Sequence, residues 1–160
     1  MLEQNVKDYL TTALNHEINL TQKLYELLVN EQACYEKQEL ASLEGLLKDK
    51  ASTLDQIEKS ATQRLNIFGI KPLMKNHSQL FEQQIGQEDG LKIIWNNLKE
   101  LMFKCKTQNE INGRIITLSQ KSLERTINIF KQSLRPNNLT TYTAKGKAQQ
   151  TPINISAAKA

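Results

Sequence analysis

Apolar side chains recur every three or four residues over three long stretches of the chain, and this period restricts the possible folds more than any other feature. The first stripe lies within residues 2–36, the second within residues 39–68, and the third begins after Asp89 and ends at Leu134. A period of this kind places the apolar groups on one face of an α-helix. The sequence therefore predicts three long amphipathic helices.

Breaks between the apolar stripes indicate where one helix ends and the next begins. A weak break at Glu36-Lys37-Gln38 separates the first two helices, and Gly69, with Pro72 just beyond it, ends the second. The short first connection predicts an antiparallel hairpin of two long helices. Residues 69–90 contain three of the six glycines and only a short apolar turn, so they predict a loop with a short helix.

The third stripe allows two interpretations. Its phase continues across Asn112-Gly113, which favours one helix of about 45 residues and about 68 Å. Asn-Gly is also a common turn pair. A turn there would give two helices and a four-helix bundle instead.

Composition agrees with an all-α fold, an elongated up-and-down bundle in which the hairpin packs with the third helix. Gly and Pro together make up 9 of 160 residues, too few for a sandwich or barrel. Residues 1–134 contain 17 basic and 17 acidic side chains, so the net charge of +4 belongs to residues 135–160. We expect a helical domain over 1–134 and a flexible, disordered basic tail over 135–160.

Several classes of function lack support in the sequence. No apolar run is long enough to cross a bilayer, and the N-terminus does not read as a signal peptide, so we expect a cytoplasmic protein without membrane insertion. The basic excess lies in the tail and not on a folded face, which argues against nucleic-acid binding. No catalytic, metal-binding or cofactor-binding motif is present, so we expect no enzyme activity, no metal and no cofactor.

Four charged residues occupy positions of the apolar stripes. Glu17 and Glu31 lie on the first helix, and Lys50 and Arg64 lie on the second. Each pair is 14 residues apart, so one antiparallel register would bring Glu31 to Lys50 and Glu17 to Arg64. A turn centred near residue 38 leaves these pairs about 7 Å out of line, a gap that long side chains span in part. We interpret the four as residues that fix the register.

Short motifs occur in a defined order along almost the whole chain, and this order resembles that of the FlgN family of flagellar export chaperones. The shared features are a Leu-Leu-x-x-Glu end to the first helix, an acidic-leucine stretch, later basic residues, a Trp motif, an Asn-x-x-Asn-Gly motif and a Thr-Tyr tail. The matching segments are Leu27-Leu28-Val29-Asn30-Glu31, Glu39-Leu40-Ala41-Ser42-Leu43, Lys50, Arg64, Ile94-Trp95-Asn96-Asn97-Leu98, Asn109-Glu110-Ile111-Asn112-Gly113 and Thr141-Tyr142 with Gly146.

The resemblance implies a cytoplasmic type III secretion chaperone. It would bind C-terminal helical segments of hook-associated (hook–filament junction) proteins, prevent their premature assembly and deliver them to the export gate. Tyr142 would dock on the cytoplasmic domain of that gate. A hairpin cannot bury all of a helix over 89–134, so we expect its distal part to bind the client by helix-in-groove recognition. The candidate client-binding residues are Ile115, Ile116, Leu118, Leu123, Ile127 and Phe130.

Two alternatives stay open. The chain could be a structural coiled coil that assembles with copies of itself, since polar residues in a stripe suit a homodimer as well as a hairpin. It could also be an export chaperone for another flagellar substrate. The sequence is compatible with a monomer or a weak homodimer.

Overall fold

The computed structural model describes residues 2–133, 140–142 and 148–150, and four helices account for most of them. Their bounds are α1 (Gln4–Lys37), α2 (Leu40–Asn66), α3 (His77–Gln84) and α4 (Asp89–Ser133). Two three-residue strands, β1 (Thr140–Tyr142) and β2 (Ala148–Gln150), pair antiparallel. The predicted all-α class is confirmed. The strands were not predicted, and the remainder of the predicted disordered tail lies outside the described residues.

The chain forms two compact units, Met1–Ile116 and Thr117–Ala160. The first holds the hydrophobic core; the second contains the last turns of α4 and the strand pair. The predicted boundary between residues 134 and 135 rests on composition, and it stays a prediction. Among the helices of the described residues, none combines the length and apolarity that a membrane span requires.

The α1–α2 turn and the end of α2 follow the predicted breaks to within two residues. Gln38 adopts the left-handed conformation, with φ of 58°, and the Glu39 amide donates to the Cys34 carbonyl at 3.0 Å. This is the hydrogen-bond pattern of a helix C-terminus that reverses the chain. Gly69 has φ of 64° just after α2, a conformation that glycine adopts without a steric penalty.

Helix α4 is continuous across Asn112-Gly113, so the alternative of a turn there is wrong. The Asn112 side chain explains this continuity, because it is buried and donates to the Leu28 carbonyl of α1 at 2.8 Å. A turn would remove Asn112 from that position. Asp89, after which the third stripe begins, is itself the first residue of α4.

The main core lies where α3 packs against the three long helices. Phe81 of α3 is fully buried, and its ring meets the Trp95 ring of α4 edge-on at a centroid distance of 4.9 Å. Such a contact adds about 0.5–1.5 kcal/mol to the burial of the rings. The other buried members of this core are Leu10, Leu14, Leu65, Ile70, Ile85, Leu91 and Leu98.

A buried ion pair borders this core. Arg64 Nε donates to Glu17 Oε1 at 2.7 Å, and Arg64 Nη2 donates to Glu17 Oε2 at 3.2 Å. The guanidinium carbon also lies 4.3 Å from the centroid of the Phe81 ring and 4.8 Å from that of Trp95. Arg64 therefore combines a two-point ion pair with cation–π contacts on two rings.

The second charged pair forms in the same antiparallel register. Lys50 Nζ lies 3.0 Å from Glu31 Oε2. Both glutamates are almost fully buried. The structure thus forms both predicted pairs, Glu17 with Arg64 and Glu31 with Lys50. That these four residues fix the register stays a prediction.

Removing one partner of the Arg64–Glu17 pair should cost more than removing both. In Arg64→Met the Glu17 carboxylate stays buried without its cation, which typically costs about 3–5 kcal/mol. In the double variant Glu17→Leu/Arg64→Met no unpaired charge remains, so we expect much of the loss to be recovered. Urea unfolding followed by circular dichroism measures both variants.

Lys59→Met is the control, since Lys59 forms an exposed ion pair with Asp55. We expect its unfolding midpoint to match that of the unmodified chain. A double variant as unstable as Arg64→Met would contradict a specific role for the pair.

Candidate functional site

The distal part of α4 presents apolar side chains to solvent. Leu118, Leu123, Ile127 and Phe130 are between 42% and 67% exposed. Ile115 and Ile116 are half-buried. All six predicted client-binding residues therefore keep part of their apolar surface accessible. Exposed apolar groups of this size, repeated along one helix, are typical of a protein-binding surface.

Helix geometry divides these six residues into two faces. At 3.6 residues per turn, Ile116, Leu123, Ile127 and Phe130 fall within an arc of about 60°. We call these four residues the distal stripe. Ile115 lies at the margin of the stripe, and Leu118 lies on the opposite side of the helix. The structure therefore does not place Leu118 with the other candidates.

Sequence analysis missed one exposed residue of this region. Ile129 is exposed and lies three turns after Leu118, so these two form a second, smaller apolar pair on the face opposite the distal stripe. The helical period contained this signal. Placing successive residues of the helix 100° apart around its axis would have shown Leu118 and Ile129 on the face opposite the distal stripe.

A buried polar network fixes α4 to α1 just before the distal stripe. Glu31 Oε2 accepts from Asn112 Nδ2 at 2.8 Å as well as from Lys50. Glu31 Oε1 accepts from the Tyr35 hydroxyl at 3.2 Å. Lys50 Nζ also donates to Asn109 Oδ1 of α4 at 3.0 Å. One carboxylate thus joins three helices, and its hydrogen bonds offset the cost of burying it.

Two groups near this network have raised pKa values. Burial, reinforced by the Glu31 carboxylate, raises the pKa of Tyr35, so its hydroxyl keeps the proton that it donates. Burial raises the pKa of the Cys105 thiol to about 11. Cys105 therefore stays protonated near neutral pH and donates to the Thr21 carbonyl at 3.4 Å. A protonated, buried thiol is a poor nucleophile, so Cys105 acts as a packing group.

Two hydrogen bonds from α4 side chains to α1 carbonyls have the same spacing in sequence. Cys105 contacts Thr21 and Asn112 contacts Leu28, and each pair is 84 residues apart. The two helices therefore run in the same direction. Because α1 ends at Lys37, it can supply partners at this spacing to only part of the longer α4.

Two further residues singled out in the sequence lie beyond the end of α4. Tyr142, predicted to dock on the export gate, is the last residue of β1 and pairs with Ala148. Gly146 lies outside the described residues. Within the described residues, no three His, Cys, Asp or Glu side chains come together in a way that could hold a metal ion.

Asn112 should contribute measurably to stability. Asn112→Ala removes the donor to the Leu28 carbonyl and one of the donors to buried Glu31, so we expect a loss of about 1–3 kcal/mol. Urea unfolding measures the change. Asn97→Ala is the matched control because Asn97 is exposed on the same helix. Equal stabilities of the two variants would show that the Asn112 side chain does not anchor α4.

Comparison with known proteins gives one match. The family model described as FlgN protein matches residues 1–150 of the chain. Neither the curated proteins nor the solved structures contain a significant match. The match covers the first unit and most of the second, and it includes all of α4 and both strands. The chain therefore belongs to the FlgN family, with the general role of a flagellar export chaperone that binds flagellar substrate proteins.

Proposed function

We propose that this protein binds C-terminal helical segments of hook-associated proteins in the cytoplasm, prevents their premature assembly and delivers them to the export gate. No catalysed reaction is part of this role. The observation that carries the proposal is the distal stripe, where four large apolar side chains share one face of a formed helix and remain accessible.

The chemistry of the stripe suits a helical partner. Steps of seven, four and three residues separate Ile116, Leu123, Ile127 and Phe130, which is the spacing at which one amphipathic helix meets another. Phe130 supplies an aromatic group, and aromatic residues are enriched at the core of protein interfaces. An amphipathic client helix would bury this stripe together with its own apolar face.

The proposed affinity is moderate, which suits a chaperone that must release its client. Full burial of one Ile or Phe side chain contributes about 1.5–3 kcal/mol. Four such groups provide a substantial driving force, but a client segment that orders on binding loses conformational entropy. The difference favours reversible binding over a permanent complex.

Ile127→Asp should weaken client binding. Burying a carboxylate in the centre of the stripe opposes binding and removes the apolar contact, so we expect at least about tenfold weaker binding, the equivalent of 1.4 kcal/mol. Fluorescence anisotropy with labelled C-terminal segments of hook-associated proteins measures the dissociation constant. Ile127 is already partly exposed, so the variant should keep its helical content.

Two further variants make this test specific. Asn128→Asp adds the same charge one residue further along α4, about 100° away from Ile127, and should bind almost normally. Leu118→Asp tests the opposite face, since Leu118 is a predicted client contact that lies away from the stripe. If the intact chain binds no segment, the proposed client is wrong; oligomers at micromolar concentration would then favour a self-assembling coiled coil.

Tyr142→Ala should separate client capture from gate docking. In the proposal Tyr142 contacts the cytoplasmic domain of the export gate and not the client. We therefore expect the variant to bind client segments normally but to lose binding to the purified gate domain. Surface plasmon resonance with each immobilised partner measures both. Equal gate binding by the variant and the intact chain would exclude Tyr142 as the docking residue.

A further inference from the structure

An open groove lies between α2 and α4, with α1 as its floor. Leu24 and Leu28 of α1 form the floor, Leu54 of α2 forms part of one wall, and Cys105 of α4 forms part of the other. The cavity at its centre has a volume of about 420 Å³. Its depth is apolar and large enough for a leucine or phenylalanine side chain. All of these residues belong to the unit Met1–Ile116.

Apolar surface continues along both helices beyond the cavity. Leu47 and Leu54 are seven residues apart on the same face of α2, and they span about 10 Å along the helix. Met102 lies one turn before Lys106 on α4. The side chains of Leu47, Leu54 and Met102 are between 43% and 46% exposed. Lys50, which lies between Leu47 and Leu54, bonds to α4 across the groove. The cavity therefore extends without interruption only on the side of Leu54 and Met102.

The walls of the groove favour a helical occupant. Both walls are α-helices, so their backbone donors and acceptors are bonded within the helix and offer nothing to an extended strand. An added helix satisfies its own backbone hydrogen bonds and contacts the groove through side chains alone. Such a helix would make a four-helix arrangement with α1, α2 and α4.

Two lysines line the rim of the groove, and one of them leaves it with an unpaired positive charge. Lys50 is neutralised by Glu31 and also donates to Asn109 Oδ1. Lys106 is exposed and forms no ion pair within the described residues. The next acidic residue on α4, Glu110, lies one turn further and is not bonded to it. The unpaired cation beside an apolar cavity suits a carboxylate adjacent to an apolar anchor.

We propose that this groove binds one amphipathic helix of the exported client, with an apolar side chain in the cavity and an Asp or Glu directed at Lys106. This inference rests on the proposed function and adds a second contact region to the distal stripe. It also predicts a sequence preference in the client: a Leu, Ile or Phe with an acidic residue one turn away, since residues three or four apart lie on the same side of a helix.

Charge reversal at the rim tests the proposal. Lys106→Glu should weaken binding of the labelled C-terminal client segments by roughly five- to tenfold, about 1 kcal/mol for losing an exposed ion pair and placing like charges together. Changing each acidic residue of the segment to Lys in turn should identify one that restores binding to this variant. Lys104→Glu is the matched control, because Lys104 lies two residues away and faces Tyr25 instead of the groove.

A second variant tests the cavity itself. Leu54→Asp places a carboxylate at the wall of the cavity, and we expect it to weaken segment binding by more than about tenfold. Leu54 is nearly half exposed, so the fold should persist; circular dichroism and the unfolding midpoint verify this. Leu73→Asp, at an almost fully exposed leucine outside the helices, is the apolar control and should bind normally.

The possible results separate this inference from the proposed function. If segments bind and Ile127→Asp weakens them, but Leu54→Asp and Lys106→Glu bind like their controls, the groove proposal is overturned and the proposed function stands. If these two variants alter only self-association of the chain, the groove is an interface between copies, and the proposal is again overturned. If no segment binds the intact chain, both proposals fail.

Discussion

The contacts of Arg64 join all four helices of the described residues. One guanidinium on α2 bonds the Glu17 carboxylate of α1 and stacks on Phe81 of α3 and Trp95 of α4. Burying both charges is costly, and the two hydrogen bonds with the two ring contacts offset that cost only in this geometry. A shift of α2 by one residue along α1 would move the guanidinium by about 1.5 Å and rotate it by about 100°. We therefore predict that the interaction discriminates between registers, because such a shift would separate the guanidinium from both the carboxylate and the rings.

The Glu31 network repeats this arrangement further along α1. Glu31 also joins a cation of α2 to a polar side chain of α4, but Asn112 takes the place of the aromatic rings. The two networks lie 14 residues apart on α1, so we predict that together they fix both the rotation and the position of α2. Between them lies the floor of the groove at Leu24 and Leu28. The apolar surface between these polar networks is the groove proposed to bind the client.

Sequence reasoning succeeded where a repeating pattern of residues carries the information. The three-four period gave the helices, and the equal spacing of Glu17 with Glu31 and Lys50 with Arg64 gave the two contacts across the hairpin. It left the Asn112-Gly113 question open, because this dipeptide suits a turn and a buried anchor equally well. The answer depends on the Leu28 carbonyl, which is distant in sequence. The contacts of Arg64 with Phe81 and Trp95 could not be predicted either. The two rings come from different helices, and no repeating pattern in the sequence indicates how those helices pack.

Continuity of α4 has a consequence for partner binding. A separate helix over the last four turns would be marginal in water, because helix nucleation is unfavourable and short helices lack enough hydrogen bonds to offset it. Here the turns carrying Leu123, Ile127 and Phe130 extend a helix that Trp95 and Asn112 already hold in place. Nucleation is therefore complete before a partner arrives. In the proposed function, a client helix meets this preformed surface, and most of the ordering entropy of the complex is lost by the client. The proposed binding to the distal stripe therefore requires no rearrangement of the core.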